Sequence, residues 1–490
     1  MNIELIKSVD FGEIDGYGDP NLEKYFLDNG YWEKIVDKSI FFVVGKKGTG
    51  KSSVFRMIER EAFNNGSIVV NKDFGEFPFE KLLRLSDEGF AKPNQYQTIW
   101  KNVIFNLLIQ AIAKLPPEGN DYYNEIVEYR DMFLGSAKDL HKDIISNAVK
   151  KEGNIQIKNF GGKTTKETNV SFKYSDDNIT SLNSKLSDLI LDYFITTTSN
   201  NKVVIQFDRL DDNYNQYQNL DEYFQAIISL FKVVYHFNQL LRSKNVTNAK
   251  VVIYIRSDII KSIASRDAES ARWDDFRLDL SWKISNLKYA YNSDLYKIVE
   301  KRIQTSGSQY IEKTFDDVFS IDKKTLKECK IRGNLFKALV LQTLFRPRDL
   351  IELLKILQSE ICKHNKFDSF VYNEAKKRYS NWLVNTELAN EINPVLRDDY
   401  KYVIELLRLC GSRTMSLSYF TKKFKSIKYN FSMSPLELLE YLYGVGIIEN
   451  TWKNEKNNTY MHRSIFRNEG EFDRNMAFKI LPAVWNGLTV

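Results

Sequence analysis

The sequence predicts an α/β fold with a mostly parallel sheet, continued by a helical region and a small α+β tail. Three observations carry that prediction. Short, continuously apolar runs recur at Ser39–Val44 (SIFFVV), Val203–Phe207 (VVIQF) and Val251–Ile255 (VVIYI), the pattern of strands covered on both faces. Stretches of helical periodicity separate them. After about residue 285 the strand pattern fades and apolar residues recur at spacings of three and four.

Taken in order, residues 1–38 read as an N-terminal extension, with a Gly/Asp-rich loop to Pro20 and a helix over Asn21–Asp37. Residues 39–285 read as the sheet-bearing core. Its first strand is followed by a helix over Ser52–Asn65, a strand at Ile68–Val70, and a helix over Gln95–Lys114 marked by Trp100, Ile104, Leu107, Leu108 and Ala111. Residues 120–200 resemble an insertion. Within it Ile155 and Ile157 are set to face Val170, Phe172 and Tyr174 across Gly161-Gly162-Lys163, a hairpin with a long loop. A helix over Asp221–Leu241 joins VVIQF to VVIYI. Residues 286–390 read as a helical lid, with helices at Asp294–Gln304, Asn334–Leu344, Pro347–Lys363 and Phe370–Leu388. In residues 391–490, helices at Asp399–Leu409, Ser418–Phe424 and from Ser434 precede strands at Ile447–Trp452 and Tyr460–Phe466. Three helices and a two-stranded wing predict a winged-helix domain. Ser434-Pro435-Leu436-Glu437 is a capping box with proline at the first helical position.

Bulk properties narrow the class. A 490-residue chain with 43% hydrophobic and 27% charged residues has material for two to four packed domains rather than disorder. A net charge of +6 over that length is too weak a basic bias to demand a nucleic-acid partner. Cys329, Cys362 and Cys410 match no zinc spacing and read as reduced thiols. The first ten residues lack an apolar signal core, and no run of 18 apolar residues occurs, so the expectation is a soluble, cytoplasmic protein without a membrane partner.

Gly45-Lys46-Lys47-Gly48-Thr49-Gly50-Lys51-Ser52, followed by Ser53, fits G-x-x-x-x-G-K-[ST] in full, between a predicted strand and a predicted helix. Glycines let backbone N–H groups curl around phosphate, and the helix N-terminus attracts the anion. Lys51 is placed to reach the β- and γ-phosphates and Ser52 to ligate Mg²⁺, so ATP and magnesium are the expected ligands. Asp208, closing VVIQFD, is the carboxylate expected to hold the magnesium. Asp211 or Asp212, next in FDRLDD, could polarise the attacking water; the alternative is capping of the next helix. Arg256 at the end of VVIYI could sense the γ-phosphate or the attacking water, or instead form an ion pair with an acid of the FDRLDD run. In Arg346-Pro347-Arg348-Asp349-Leu350 an arginine at a helix start could reach back to the nucleotide, Arg348 in preference to Arg346; the alternative is a surface helix start bound to local acids. Arg266 and Arg272 could act in trans but fit a solvated charged loop better.

The succession GKKGTGKSS, VVIQFDRLDD, VVIYIRSD, a Trp282-containing passage and RPRDLI resembles AAA+/STAND-like P-loop ATPases of bacterial genomes, which are often carried in mobile or anti-phage defence islands. The resemblance covers about residues 10–360, and the tail is similar too. It implies an ATPase core, a helical lid and a winged helix, with phosphate binding at Lys51, magnesium at Ser52 and Asp208, and sensing at Arg256 and Arg348. The chain departs from common AAA+ enzymes in that no Asp-Glu pair closes the acidic strand. The expected activity is Mg-dependent ATP hydrolysis driving a shape change, in a homo-oligomer acting with a separate protein effector. The alternative is a DNA-associated ATPase. Against it, the helix SPLELLEYLYG carries Glu437 and Glu440 and no Lys or Arg, whereas Lys422, Lys423, Lys425 and Lys428 could touch phosphates.

Overall fold

The structure, a computed structural model, describes residues 3–74, 94–134, 154–157, 168–171, 176–210, 220–284, 286–396, 399–454, 458–466 and 470–488. The apolar runs become strands because β-branched and aromatic residues without polar neighbours suit only positions covered on both faces. These are β1 (Phe42–Gly45), β2 (Ile68–Asp73), the pair β3 (Asn154–Ile157) and β4 (Thr168–Ser171), then β5 (Val203–Asp208), β6 (Ala249–Arg256) and β7 (Arg277–Leu280). Five of them form one sheet in the order β2-β5-β6-β1-β7, and the pairs β2–β5, β5–β6 and β6–β1 are parallel. β1 and β5 are buried at every position.

The helices beside the sheet are α1 (Lys51–Asn64), α2 (Asn94–Ile112), α3 (Asp121–Tyr129), α4 (Asp176–Thr196), α5 (Leu220–Ser243) and α6 (Ser257–Ala264). α2 is anchored by Trp100, wholly buried, whose indole donates to the Ala226 carbonyl at 2.8 Å. Described parts of residues 120–200 pack on this core. Ile190, Tyr193 and Phe194 of α4 join its apolar cluster, and the buried Asn183 accepts from Asn102 at 3.1 Å and donates to the Thr98 carbonyl at 2.8 Å. The hairpin forms with Ile155 opposite Val170 and Ile157 opposite Thr168; Phe172, Tyr174 and Gly161-Gly162-Lys163 lie outside the described residues.

The chain divides into two compact units. Residues 30–46 with 54–279 hold the sheet; residues 1–29, 47–53 and 280–490 make the second, helical unit. The sequence reading sets residues 1–38 apart as one extension, whereas packing assigns 1–29 to the helical unit and 30–38 to the sheet unit.

The helical unit has a single contiguous apolar core that runs from Ile6, Val9 and Phe11 to Leu488. Its main helices are α7 (Asp294–Gln304), α8 (Pro347–His364), α9 (Ser369–Trp382), α10 (Ala389–Leu396), α11 (Asp399–Leu409), α12 (Leu417–Ser426), α13 (Pro435–Gly444) and α14 (Pro482–Leu488). Asn334–Leu344 is helical only over Leu335–Val340, since the Thr343 hydroxyl takes the Phe345 N–H at 3.1 Å and Phe345 turns left-handed at φ 57°. The helix expected over Phe370–Leu388 keeps α pitch to Trp382 and widens to a π-turn over Leu383–Leu388. β8 (Thr414–Met415), β9 (Ile448–Asn454), β10 (Thr459–Arg463) and β11 (Ala477–Ile480) form an antiparallel sheet in the order β10-β9-β11-β8. The C-terminal sheet therefore has four strands where the sequence reading expects two: β8 is too short, and AFKI too isolated, to stand out by periodicity. The Ser434–Glu437 capping box forms with both of its bonds. α14 lies close on α9, where a Cβ at Gly487 would come within 2.7 Å of the Ser380 carbonyl.

Gln206 is the polar pin of the sheet unit. Fully buried on β5, it accepts from the Tyr254 hydroxyl at 2.6 Å and donates to the Phe55 carbonyl at 3.2 Å and to Asn71 at 3.0 Å. Gln206→Leu keeps the volume but removes those partners, and should cost about 2–3 kcal/mol in urea unfolding. Adding Tyr254→Phe should cost less than the two single changes summed, because the orphaned hydroxyl goes with it.

Candidate functional site

Parallel pairing brings the C-terminal ends of four strands to one edge of the sheet, where ligands bind in open α/β folds. Gly45 ends β1 opposite Arg256 at the end of β6, and Asp73 ends β2 opposite Asp208 at the end of β5. Asp208 is only 2% exposed. Asp73, which the sequence reading passed over, closes IVVNKD as Asp208 closes VVIQFD; that repeated ending was the available signal. Arg209, left-handed at φ 59°, turns its guanidinium to Asp73 at 3.0 Å. Arg256 pairs with Asp258 in the next helical turn, through Nε at 3.0 Å and Nη2 at 2.7 Å. Arg256 thus forms an ion pair, with Asp258 as a partner. Asp211 and Asp212 lie outside the described residues.

The loop leaving β1 at that edge has the backbone its glycines predict. Gly48 and Gly50 take φ of +76° and +91°, values that L side chains rarely adopt, and α1 starts at Lys51. Successive residues of this kind turn N–H groups toward one concavity. Gly45 and Lys46 belong to the sheet unit and Lys47–Ser53 to the helical unit. Thr49 and Lys51 are buried, and the Trp282 indole holds the Thr49 carbonyl at 2.8 Å. The N-terminal segment also meets this loop: a Cβ at Gly16 would fall 2.3 Å from the Ser53 hydroxyl. The glycine backbone, the ammonium of Lys51 and the hydroxyl of Ser52 form a donor set that fits a triphosphate and its magnesium.

In the helical unit, Arg346 precedes Pro347 at the start of α8 and has no exposed surface. Its Nε and Nη2 hold both oxygens of Asp349 at 2.7 and 2.9 Å. Its Nη1 donates to the Lys47 carbonyl at 3.0 Å and to Glu391 at 3.2 Å, and Nη2 lies 3.5 Å from Glu387. This corrects the picture of a surface helix start, because it is Arg346, and not the preferred Arg348, that bonds the loop backbone. Arg348 packs its Cβ within 3.3 Å of a Cβ built at Gly48 and reaches Glu387 at a long 3.4 Å. Its Nε is buried with no hydrogen-bond partner among the described residues. Burial works against the Arg346 charge, but Asp349 and Glu391 overcome it and raise its pKa well above the ordinary value. Burial pushes the Asp349 carboxyl up despite Arg346, whereas Arg346, Arg348 and Lys47 hold Glu387 below the usual range against its own burial.

Other candidates sit elsewhere. Arg266 lies over the Phe224 ring at 4.4 Å and within 3.8 Å of Asp221, so it is engaged rather than simply solvated, and Arg272 is exposed in a 3-10 turn. Lys422, Lys425 and Lys428 are exposed on and after α12, and Lys423 lies 5.6 Å from the Tyr419 ring. No group of three or more His, Cys, Asp or Glu that could hold a metal ion occurs among the described residues, and none of their helices is long and apolar enough to cross a membrane.

Residues 293–387 match the family model of the FunZ-associated C-terminal helical domain. That stretch begins at the α7 cap and ends in the π-turn, so it includes Arg346, Arg348, Asp349 and Glu387. Over 530 residues the chain is also 23% identical to the "Putative transposon gamma-delta 80.3 kDa protein" of Escherichia coli (strain K12), covering 99% of this chain and 67% of that protein.

Replacing Asp349 by Asn leaves the Arg346 charge buried without its bidentate partner. The expected loss is about 3–5 kcal/mol of unfolding free energy, read from denaturant titration.

Proposed function

We propose that the protein is a magnesium-dependent P-loop ATPase of AAA+/STAND-like type, with residues 286–390 as its lid and the α11–α13 and β8–β11 region as a winged helix. The observation that carries this reading is the run from β1 through two left-handed glycines into α1 at Lys51. Backbone N–H groups of residues 46–51 would hold the β-phosphate, and the Lys51 ammonium would offset charge that grows on the β- and γ-oxygens as the terminal bond breaks. Magnesium, when bound, neutralises phosphate charge; Ser52 and Asp208 are the residues assigned to hold it. Arg348 suits sensing better than Arg346, whose donors are committed to buried acceptors, whereas Arg348 keeps a spare Nε. Arg256 would have to release Asp258 to sense the nucleotide. Asp211 or Asp212 remains the expected water-positioning acid, and Asp73 adds a further carboxylate at the same sheet edge.

In the cell this points to a cytoplasmic, ATP-driven switch that forms homo-oligomers and acts with a separate protein effector in anti-phage defence or a similar system. The transposon relative accords with carriage on mobile elements. A DNA-associated ATPase is the second reading, favoured by the exposed Lys422, Lys425 and Lys428. Steep loss of DNA binding with added salt would select it.

Phosphate release by the purified chain tests the enzyme. Lys51→Ala should abolish ATP binding and turnover. Arg348→Ala should lower kcat about 10²-fold or more while ATP still binds. Equal background rates in wild type and Lys51→Ala would exclude catalysis.

A further inference from the structure

Arg346 gathers four separate stretches of the helical unit onto one side chain. The glycine loop arrives through the Lys47 carbonyl, the start of α8 through Asp349, and the π-turn and α10 through Glu387 and Glu391. The turn that follows β10 of the C-terminal sheet arrives through Phe466, whose ring centroid lies 5.5 Å from the guanidinium carbon. Phe466 is itself pinned: it packs on Gly446 so closely that a Cβ there would fall 2.2 Å from Cε2.

The bond to Lys47 bears directly on the phosphate cradle. The Lys47 carbonyl and the Gly48 N–H belong to one planar trans peptide and point in opposite directions. Holding the oxygen on Arg346 therefore fixes where the Gly48 N–H points, and Gly48 at φ +76° is one of the two left-handed residues that shape the concavity. Arg346 has no slack with which to follow a moving loop, because its remaining donors are tied to buried carboxylates. A reorientation of the loop peptide therefore either breaks the Lys47 bond or moves the guanidinium together with its carboxylates, and in both cases changes the seat of the ring beside it.

We propose that Arg346 is a positioning residue that couples the glycine-loop peptide to the seat of Phe466, so that nucleotide binding and docking of the C-terminal sheet bias one another. The inference rests on the reading that the loop binds ATP. Coupling of this kind is reciprocal: a change at Phe466 alters nucleotide affinity by the same factor as nucleotide alters the Phe466 contact.

The test uses the full chain with ATP and magnesium. ATP affinity is measured by calorimetry for wild type, Phe466→Ala, Phe466→Tyr and Arg346→Lys, each checked for native circular dichroism, and amide hydrogen exchange over residues 446–466 is followed with and without ATP. Phe466→Ala should weaken ATP binding about 5-fold or more, and Phe466→Tyr, which keeps the ring, should restore it. ATP should change exchange over 446–466 in wild type and leave it unchanged in Arg346→Lys. Should Arg346→Lys not fold, the Phe466 pair and the wild-type exchange decide. Wild-type ATP affinity in folded Phe466→Ala, with exchange over 446–466 indifferent to ATP, would overturn the coupling alone. Failure of the wild type to take up ATP would remove the ATPase reading and the coupling with it.

Discussion

A guanidinium with no solvent exposure is the interaction on which the helical unit turns. Stripping Arg346 of water costs several kcal/mol, and the cost is offset only when nearly every donor finds an acceptor in good geometry. The chain meets that demand with three acids from different elements and one peptide oxygen. Each requirement fixes a backbone: Asp349 the first turn of α8, Glu387 the π-turn, Glu391 the start of α10, and Lys47 the loop. The wide pitch over Leu383–Leu388 fits this role, since it buries Leu383, Val384 and Leu388 while carrying Glu387 toward the arginine.

The sheet unit gathers its ionisable groups at one edge. Its central strands carry almost no polar side chains except at their C-terminal ends, where Asp73, Asp208 and Arg256 gather beside Gly45. Burial along the strands and ionisable groups at their ends follow from one constraint: parallel strands covered on both faces expose function only at an edge. Gln206 lies inside β5 and is satisfied by hydrogen bonds on three sides.

What could be read beforehand was whatever depends on local pattern. VVIQF and VVIYI became β5 and β6 because an apolar run of that length allows little else, and the positive φ at Gly48 and Gly50 follows from the residue type the loop requires. The Ser434 capping box was equally local. Contacts distant in sequence were not legible. Nothing near Arg346 announces that Lys47, Glu391 and Phe466 will meet it, and two neighbouring arginines with the same formal chemistry gave no means of telling which would be buried. Asp73 was missed because IVVNKD turns wholly polar after Val70 and reads as a strand that ends there. The two-residue β8 is too short to carry a period at all.

The chain passes between its two units at residues 29/30, 46/47, 53/54 and 279/280. A single nick therefore cannot release either unit as a continuous fragment, and any truncation that aims to isolate the sheet unit must splice out the glycine loop. By the same count, no single split of the gene would separate the two units. The glycine loop, residues 47–53, is the short excursion by which the chain leaves the sheet unit and returns to it.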